Sequence, residues 1–206
     1  MTDRLELAPG AFWYPAAFDA RAQADLLADV RAVLAQAPLF TPTMPRTGKS
    51  FSVRMSNCGP LGWVSDGSGY RYQSFHPDTR QPWPPLPDRL QAAYARFGAA
   101  TPAEACLINY YAPDARMSLH QDRDEADLTA PVVSLSLGDT ALFRLGGPER
   151  GGATQAIRLA SGDVFVLSGP SRLAFHGVDR ILGGSSRLLQ EGGRFNLTLR
   201  RVSCTG

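Results

Sequence analysis

The chain of 206 residues is 44% hydrophobic and 19% charged, with a formal net charge of +2. This balance excludes a disordered chain and suits one domain, or one domain with an extension, large enough for a real core. So small a charge also excludes nucleic-acid binding by bulk charge alone; a basic patch would have to be local.

Nearly all the positive charge is arginine, since Lys49 is the only lysine. Arginine favours forked phosphate contacts, although genome composition produces the same bias. Cys58, Cys106 and Cys204 are scattered and odd in number, which fits a reducing compartment and no disulfide framework. The N-terminus lacks the layout of a signal peptide, and no apolar run reaches membrane-spanning length. A soluble, cytoplasmic monomer is the expectation.

In chain order, residues 11–18 read as a short apolar strand. Asp19 caps a helix whose apolar face runs through Ala22, Leu26, Leu27, Val30, Val33 and Leu34, and Pro38 ends it. Residues 41–49 form a loop by their Pro and Gly content. Phe51 to Met55 resume a strand, with Phe51, Val53 and Met55 on one face. A glycine-rich segment then holds Trp63, Tyr70 and Tyr72. Residues 76–87 contain five prolines and Trp83, so no regular structure is expected before a helix from about Pro87 to Phe97. From Glu104 onward short β-like runs follow one another, at 104–111, 115–120, 131–137, 141–145, 154–159, 163–168, 172–176 and 193–202. Most are separated by turn signals, which argues for a double-sheet β architecture. The fold class expected is α+β, with an N-terminal α/β layer over residues 1–90 and a jelly-roll core over 91–206, forming one compact unit.

The chemistry sits in Ser118-Leu119-His120-Gln121-Asp122-Arg123-Asp124. On a strand, His120 and Asp122 send their side chains to one face, where an imidazole and a carboxylate suit a divalent first-row metal. His-x-Asp alone is a weak signal, and a His–Asp hydrogen-bonded pair is the plain alternative. Of the three histidines, His76 precedes Pro77 and reads as a loop residue without a metal role. His176, on another β-like segment, is the candidate third ligand. Two His and one carboxylate leave open positions on a metal, as in non-haem Fe(II) oxygenases. In the last strand Arg194, Asn196, Thr198 and Arg200 share one face and Phe195, Leu197 and Leu199 the other. The polar face either meets solvent or lines a pocket. In the second case Arg194 and Arg200 supply planar forks for a dicarboxylate such as 2-oxoglutarate. Arg201 has the opposite parity and reads as surface.

These segments, together with Asn57-Cys58-Gly59-Pro60-Leu61-Gly62-Trp63 and Cys106-Leu107-Ile108-Asn109-Tyr110-Tyr111-Ala112-Pro113, closely resemble the AlkB family of nucleic-acid repair dioxygenases. The resemblance runs from about Phe51 to Arg200 in matching order and spacing. It implies a double-stranded β-helix with an N-terminal nucleotide-recognition lid. It also implies Fe(II) on His120, Asp122 and His176, with 2-oxoglutarate and O2 as cosubstrates. Asn109, Tyr111, Arg194, Asn196 and Arg200 map onto cosubstrate positions. Met55, Trp63, Tyr70, Arg71, Tyr72, Asp124 and Arg150 are assigned to the substrate, with His120 stacking on a flipped base and Asp124 meeting its exocyclic amino group. The implied reaction is oxidative demethylation of 1-methyladenine and 3-methylcytosine in single-stranded DNA, with RNA or duplex DNA as further substrates, releasing formaldehyde, succinate and carbon dioxide. Pro148-Glu149-Arg150-Gly151-Gly152 departs from the family in length and glycine content. A small-molecule or protein substrate, and a non-catalytic single-strand binder, are the rival readings.

Overall fold

The computed structural model describes residues 3–98 and 101–204. Two strands, β1 (Leu5–Ala8) and β2 (Ala11–Tyr14), precede helix α1 (Ala20–Gln36). Asp19 caps this helix, its carboxylate accepting from the Ala22 amide at 2.8 Å. Then come β3 (Arg54–Cys58), β4 (Gly62–Asp66), β5 (Gly69–Gln73) and helix α2 (Asp88–Phe97). The remaining strands are β6 (Ala105–Tyr111), β7 (Met117–His120), β8 (Val132–Gly138), β9 (Thr140–Leu145), β10 (Gln155–Leu159), β11 (Val164–Leu167), β12 (His176–Leu182) and β13 (Arg194–Arg200).

One seven-stranded sheet has the order β1-β2-β11-β8-β13-β6-β3, and a four-stranded sheet the order β10-β9-β12-β7. All the pairings between described strands are antiparallel. The large sheet therefore has two apolar faces to cover. On one, Leu26, Val30, Leu90 and Tyr94 of the helices pack with Ile108, Leu135, Leu197 and Leu199. On the other, Met55, Leu107, Tyr111 and Phe165 meet Phe143, Leu145, Ile157 and Val178 of the small sheet. This is the double-sheet architecture expected, and β1, β2 and β3 are built into the same large sheet as the C-terminal strands.

β13 lies between β6 and β8, at the centre of this arrangement. Its alternation sends Phe195, Leu197 and Leu199 toward the helices. Arg194, Thr198 and Arg200 are buried on the face toward the small sheet, so the polar side lines an interior rather than meeting water. Leu197 is fully buried and sits opposite Ile108 and Leu135 in the ladder. Its replacement by alanine is expected to cost about 2–5 kcal/mol, read as a lower urea midpoint at unchanged slope.

Three local expectations need correction, and the glycine-rich segment takes a structure the sequence had left open. The strand expected at Phe51–Met55 begins at Arg54 instead, because Phe51 turns back to donate to the Pro42 carbonyl and Ser50 bridges Thr43. The glycine-rich segment forms a hairpin, β4 pairing β5 with Trp63 opposite Tyr72 and Ser65 opposite Tyr70. Residues 172–176 are not a strand: Gly169–Ser171 form a 3-10 turn containing Pro170, and β12 starts at His176. Finally, β7 ends at His120, so Asp122 lies beyond the strand on which its direction was argued.

Candidate metal centre and cosubstrate pocket

The first two ligands are brought together by strand register. His120 closes β7 and His176 opens β12, and the two are direct partners in the antiparallel ladder. Their ring centroids lie 4.5 Å apart. Asp122 then folds over this pair, its carboxylate oxygens 3.8 Å from His120 Nε2 and 3.7 Å from His176 Nε2. One donor atom from each of the three residues falls within 4.8 Å of the others.

The donors are also in the right chemical state. His120 Nδ1 lies 3.0 Å from the Ser118 carbonyl and His176 Nδ1 lies 2.9 Å from the Ala174 carbonyl. A carbonyl only accepts, so each Nδ1 carries the hydrogen and each Nε2 keeps a lone pair for a metal. Burial, with help from neighbouring His120, pushes the His176 imidazole down to about 4, so it is neutral near pH 7. Burial alone would raise the Asp122 carboxyl. Arg200 and the two imidazoles outweigh that and hold it well below the usual carboxylate range. Two imidazoles and a carboxylate are a donor set that fits Fe(II).

The residues assigned to the cosubstrate from the sequence form a cross-strand array. Asn196 on β13 faces Asn109 on β6, which faces Met55 on β3, while Arg194 faces Tyr111. Arg194 is 1% exposed. Its guanidinium donates to Ser136 Oγ at 2.6 Å and to the Leu159 carbonyl at 3.1 Å. Among the described residues no carboxylate forms an ion pair with it, and its Nε is buried without a partner. Burial lowers it to about 10, which still leaves it charged at neutral pH. A buried cation facing only neutral acceptors is poorly compensated. Asn109 Oδ1 and Arg200 Nε are buried without partners as well. These groups thus fit an anionic dicarboxylate such as 2-oxoglutarate, with Arg194 as the cation that has no carboxylate partner among the described residues.

The two arginines, treated alike from the sequence, differ here. Arg200 already lies 2.7 Å from Asp122 and 3.2 Å from Glu125, and it donates to the Tyr72 hydroxyl at 3.0 Å. These neighbours more than offset the effect of burial and hold its charge firmly. Arg200 therefore bears chiefly on Asp122 and Glu125, with Nε left as its unpartnered donor.

Around the mouth, Trp63 stacks on Tyr70 with centroids 5.7 Å apart and planes 17° off parallel. The Trp63 indole donates to Asp124 at 2.7 Å. Tyr70 is 52% exposed. Tyr72 shares their face but is turned inward, donating to Glu125. Arg71 has the opposite parity and forks onto Asp66, at 2.9 and 2.8 Å, so the hairpin does not present it beside Trp63. Met55 is buried beneath this layer. Arg150 lies over the Phe175 ring at 5.2 Å, on a loop tied down by Gln121, which donates to the Pro148 and Leu173 carbonyls. His76 stays apart from the cluster: its Nδ1 accepts two backbone amides, and its Nε2 therefore donates to the Pro38 carbonyl at 2.8 Å.

Three neighbours of the centre were not foreseen: Gln121, Glu125 and Arg172. Glu125 ends the run Arg123-Asp124-Glu125, which reads as a solvated loop, yet its side chain is 0% exposed. Spacing carries no signal for any of them, because their side-chain partners lie at least 27 residues away.

Comparison with known proteins agrees with this geometry. The profile of the 2OG-Fe(II) oxygenase superfamily matches residues 10–200. The chain is 53% identical to an alpha-ketoglutarate-dependent dioxygenase AlkB homolog of Caulobacter vibrioides over 96% of this chain and 90% of that one. It is 43% identical to the alpha-ketoglutarate-dependent dioxygenase AlkB of Escherichia coli, over 90% of this chain and 87% of that one. The solved structure of OsALKBH1 superposes with a TM-score of 0.81 at 29% identity, covering 97% of this chain and 100% of that one. The triad of His120, Asp122 and His176 suits the iron that the matched profile names, and the chain belongs to the AlkB family of Fe(II)- and 2-oxoglutarate-dependent dioxygenases.

Proposed function

We propose that this dioxygenase removes N-linked alkyl groups, of the 1-methyladenine and 3-methylcytosine type, from nucleobases in single-stranded DNA, and that RNA and duplex DNA are further substrates. The observation that carries the reading is the Trp63–Asp124 pair. It sets a flat aromatic face and a carboxylate side by side, and Asp124 lies only two residues beyond the ligand Asp122. With Fe(II), 2-oxoglutarate and O2 bound, the centre would supply the oxidising power to hydroxylate an N-methyl carbon, with 2-oxoglutarate converted to succinate and carbon dioxide and the hydroxymethyl group leaving as formaldehyde.

The residues of this chain do the rest. His120, Asp122 and His176 hold the metal, and Arg194 anchors the far carboxylate of the cosubstrate, with Asn109, Tyr111 and Asn196 along its length. Trp63 and Tyr70 offer a stacking surface to an extruded base. Asp124 exchanges its bond to the indole for one to the base's exocyclic amino group, and its charge complements a cationic methylated ring. A single strand presents such a base without the cost of unpairing. Arg150, held over Phe175, is the further substrate-contacting arginine of this reading. The hairpin β4–β5 and the loop 41–49 serve as the lid, within an N-terminal part spanning residues 1–90. No helix among the described residues is long and apolar enough to cross a membrane, and the three cysteines are free; a cytoplasmic monomer is the matching proposal.

The test is mass spectrometry of single-stranded oligonucleotides carrying one defined lesion, after incubation with Fe(II), 2-oxoglutarate and air. Loss of one methylene mass per lesion, with formaldehyde released, is expected. Unchanged oligonucleotides from enzyme that turns over 2-oxoglutarate on a methylated peptide or free nucleoside would overturn the reading. Trp63→Ala should raise KM for the oligonucleotide about 10- to 100-fold, since stacking contributes about 1–3 kcal/mol per base. The KM for 2-oxoglutarate should stay put.

A further inference from the structure

Asp122 presents a structural problem. It lies past the end of β7, and among the described residues no backbone–backbone hydrogen bond holds it. The sheet fixes the two imidazoles but leaves the carboxylate ligand on an unpaired segment. What holds it is a closed ring of side chains. Arg172 follows the 3-10 turn Gly169–Ser171 on the segment leading to His176. It donates to the Asp122 carbonyl at 2.6 Å, to the Ala130 carbonyl at 2.7 Å and to Glu125 Oε2 at 3.1 Å. The other oxygen of Glu125 lies 3.2 Å from Arg200 and accepts from Tyr72. Arg200 in turn grips the Asp122 carboxylate at 2.7 Å. The ring therefore starts at the backbone of Asp122 and returns to its side chain.

We propose that Arg172 and Glu125 are positioning residues of the metal centre: together they fix Asp122 against His176, and through Tyr72 they tie the lid hairpin to the same ligand. The inference rests on the triad as the metal site and is independent of which substrate is oxidised. Three features support it. The side chains of Arg172 and Glu125 are 3% and 0% exposed, so a guanidinium and a carboxylate have been desolvated here rather than replaced by apolar packing. Arg172, on the segment leading to His176, spends its fork on the Asp122 carbonyl, on Glu125 and on the Ala130 carbonyl, and so ties the two ligand-bearing segments together. Glu125 also divides the attention of Arg200. Without that carboxylate, Arg200 would fall fully on Asp122 and compete with a metal for its oxygens.

The charges allow position to be separated from field. Asp122 and Glu125 balance Arg172 and Arg200, so the ring is neutral overall. Arg172→Met makes it net negative, which through space alone would tighten cation binding. Glu125→Gln makes it net positive while keeping shape and hydrogen-bonding reach. A positioning role demands that both variants weaken binding. The full-length apoprotein and both variants would be titrated with Co(II), following its visible absorption and the heat of binding, with circular dichroism to check folding. The dissociation constant is expected to rise about 10- to 100-fold in each, with an altered Co(II) spectrum in Arg172→Met. Binding that is unchanged or tighter in folded Arg172→Met would overturn the proposal. Should that variant not fold, Glu125→Gln decides: a dissociation constant within about twofold of the parent, below the range expected for such partners, would overturn it equally. No nucleic acid enters the titration, so a negative result here leaves the substrate reading untouched, and an inactive oligonucleotide assay leaves this inference untouched.

Discussion

Replacing Arg194 with methionine should abolish saturation by 2-oxoglutarate in the accessible range while leaving the chain folded. The reason is the imbalance at this residue. Its guanidinium is buried, its donors reach only a hydroxyl and carbonyls, and its Nε has no partner. Hydrogen bonds to charged groups contribute about 1.5–3 kcal/mol each, so a forked pair to a carboxylate is worth roughly 3–5 kcal/mol, or on the order of 10²–10³-fold in affinity. Methionine fills much of the same space without the charge, and removing a buried cation that has no ion-pair partner among the described residues limits the loss of stability. Thermal unfolding with and without cosubstrate measures this directly. The parent should gain stability as 2-oxoglutarate rises past its dissociation constant, and Arg194→Met should not respond. A variant that unfolds outright without ligand would show Arg194 to be structural, and one with unchanged KM for 2-oxoglutarate would remove it from the pocket.

The second large effect concerns the triad. His176→Ala should lower turnover on the order of 10³-fold, because a centre short of one ligand loses the several kcal/mol that a fixed metal contributes. The same substitution should abolish the visible absorption that appears when Fe(II) and 2-oxoglutarate are added together without oxygen. His176 pairs with His120 in the ladder and Asp122 reaches both, so His120→Ala and Asp122→Ala should behave alike. The combined variants should lose little more than each alone, since the three act as one unit. His76→Ala is the matched control: it removes a buried imidazole far from the centre and should lower stability without touching the Fe(II) signal. Full activity in His176→Ala would end the metal assignment.

Much of this could be read in the chain. The helix from Asp19 was legible because its cap and its apolar spacing are local features. The two-faced character of β13 was legible for the same reason: alternation is a property of consecutive residues. The same residues left open whether the polar face met water or a pocket, because that depends on the small sheet, built from residues many positions away. Strand ends were misplaced at Phe51–Met55 and at 172–176. There the deciding bonds run to Pro42 and through the turn before His176, not to sequence neighbours.

What the sequence determined by itself is the chemistry on offer: two histidines, one aspartate and an arginine-bearing strand, with the order and spacing of a known family. What only the tertiary structure decided is which of those groups are free. Arg194 and Arg200 look equivalent along the strand, yet one faces neutral acceptors and the other is held by Asp122 and Glu125. Tyr72 and Arg71 look like neighbours of Trp63, yet the hydroxyl of one is held in the charged ring and the other is spent on Asp66. The physical reason is that pattern along a chain sets the direction of a side chain. Its partner, and so its charge state and remaining bonding capacity, comes from segments that folding alone brings near.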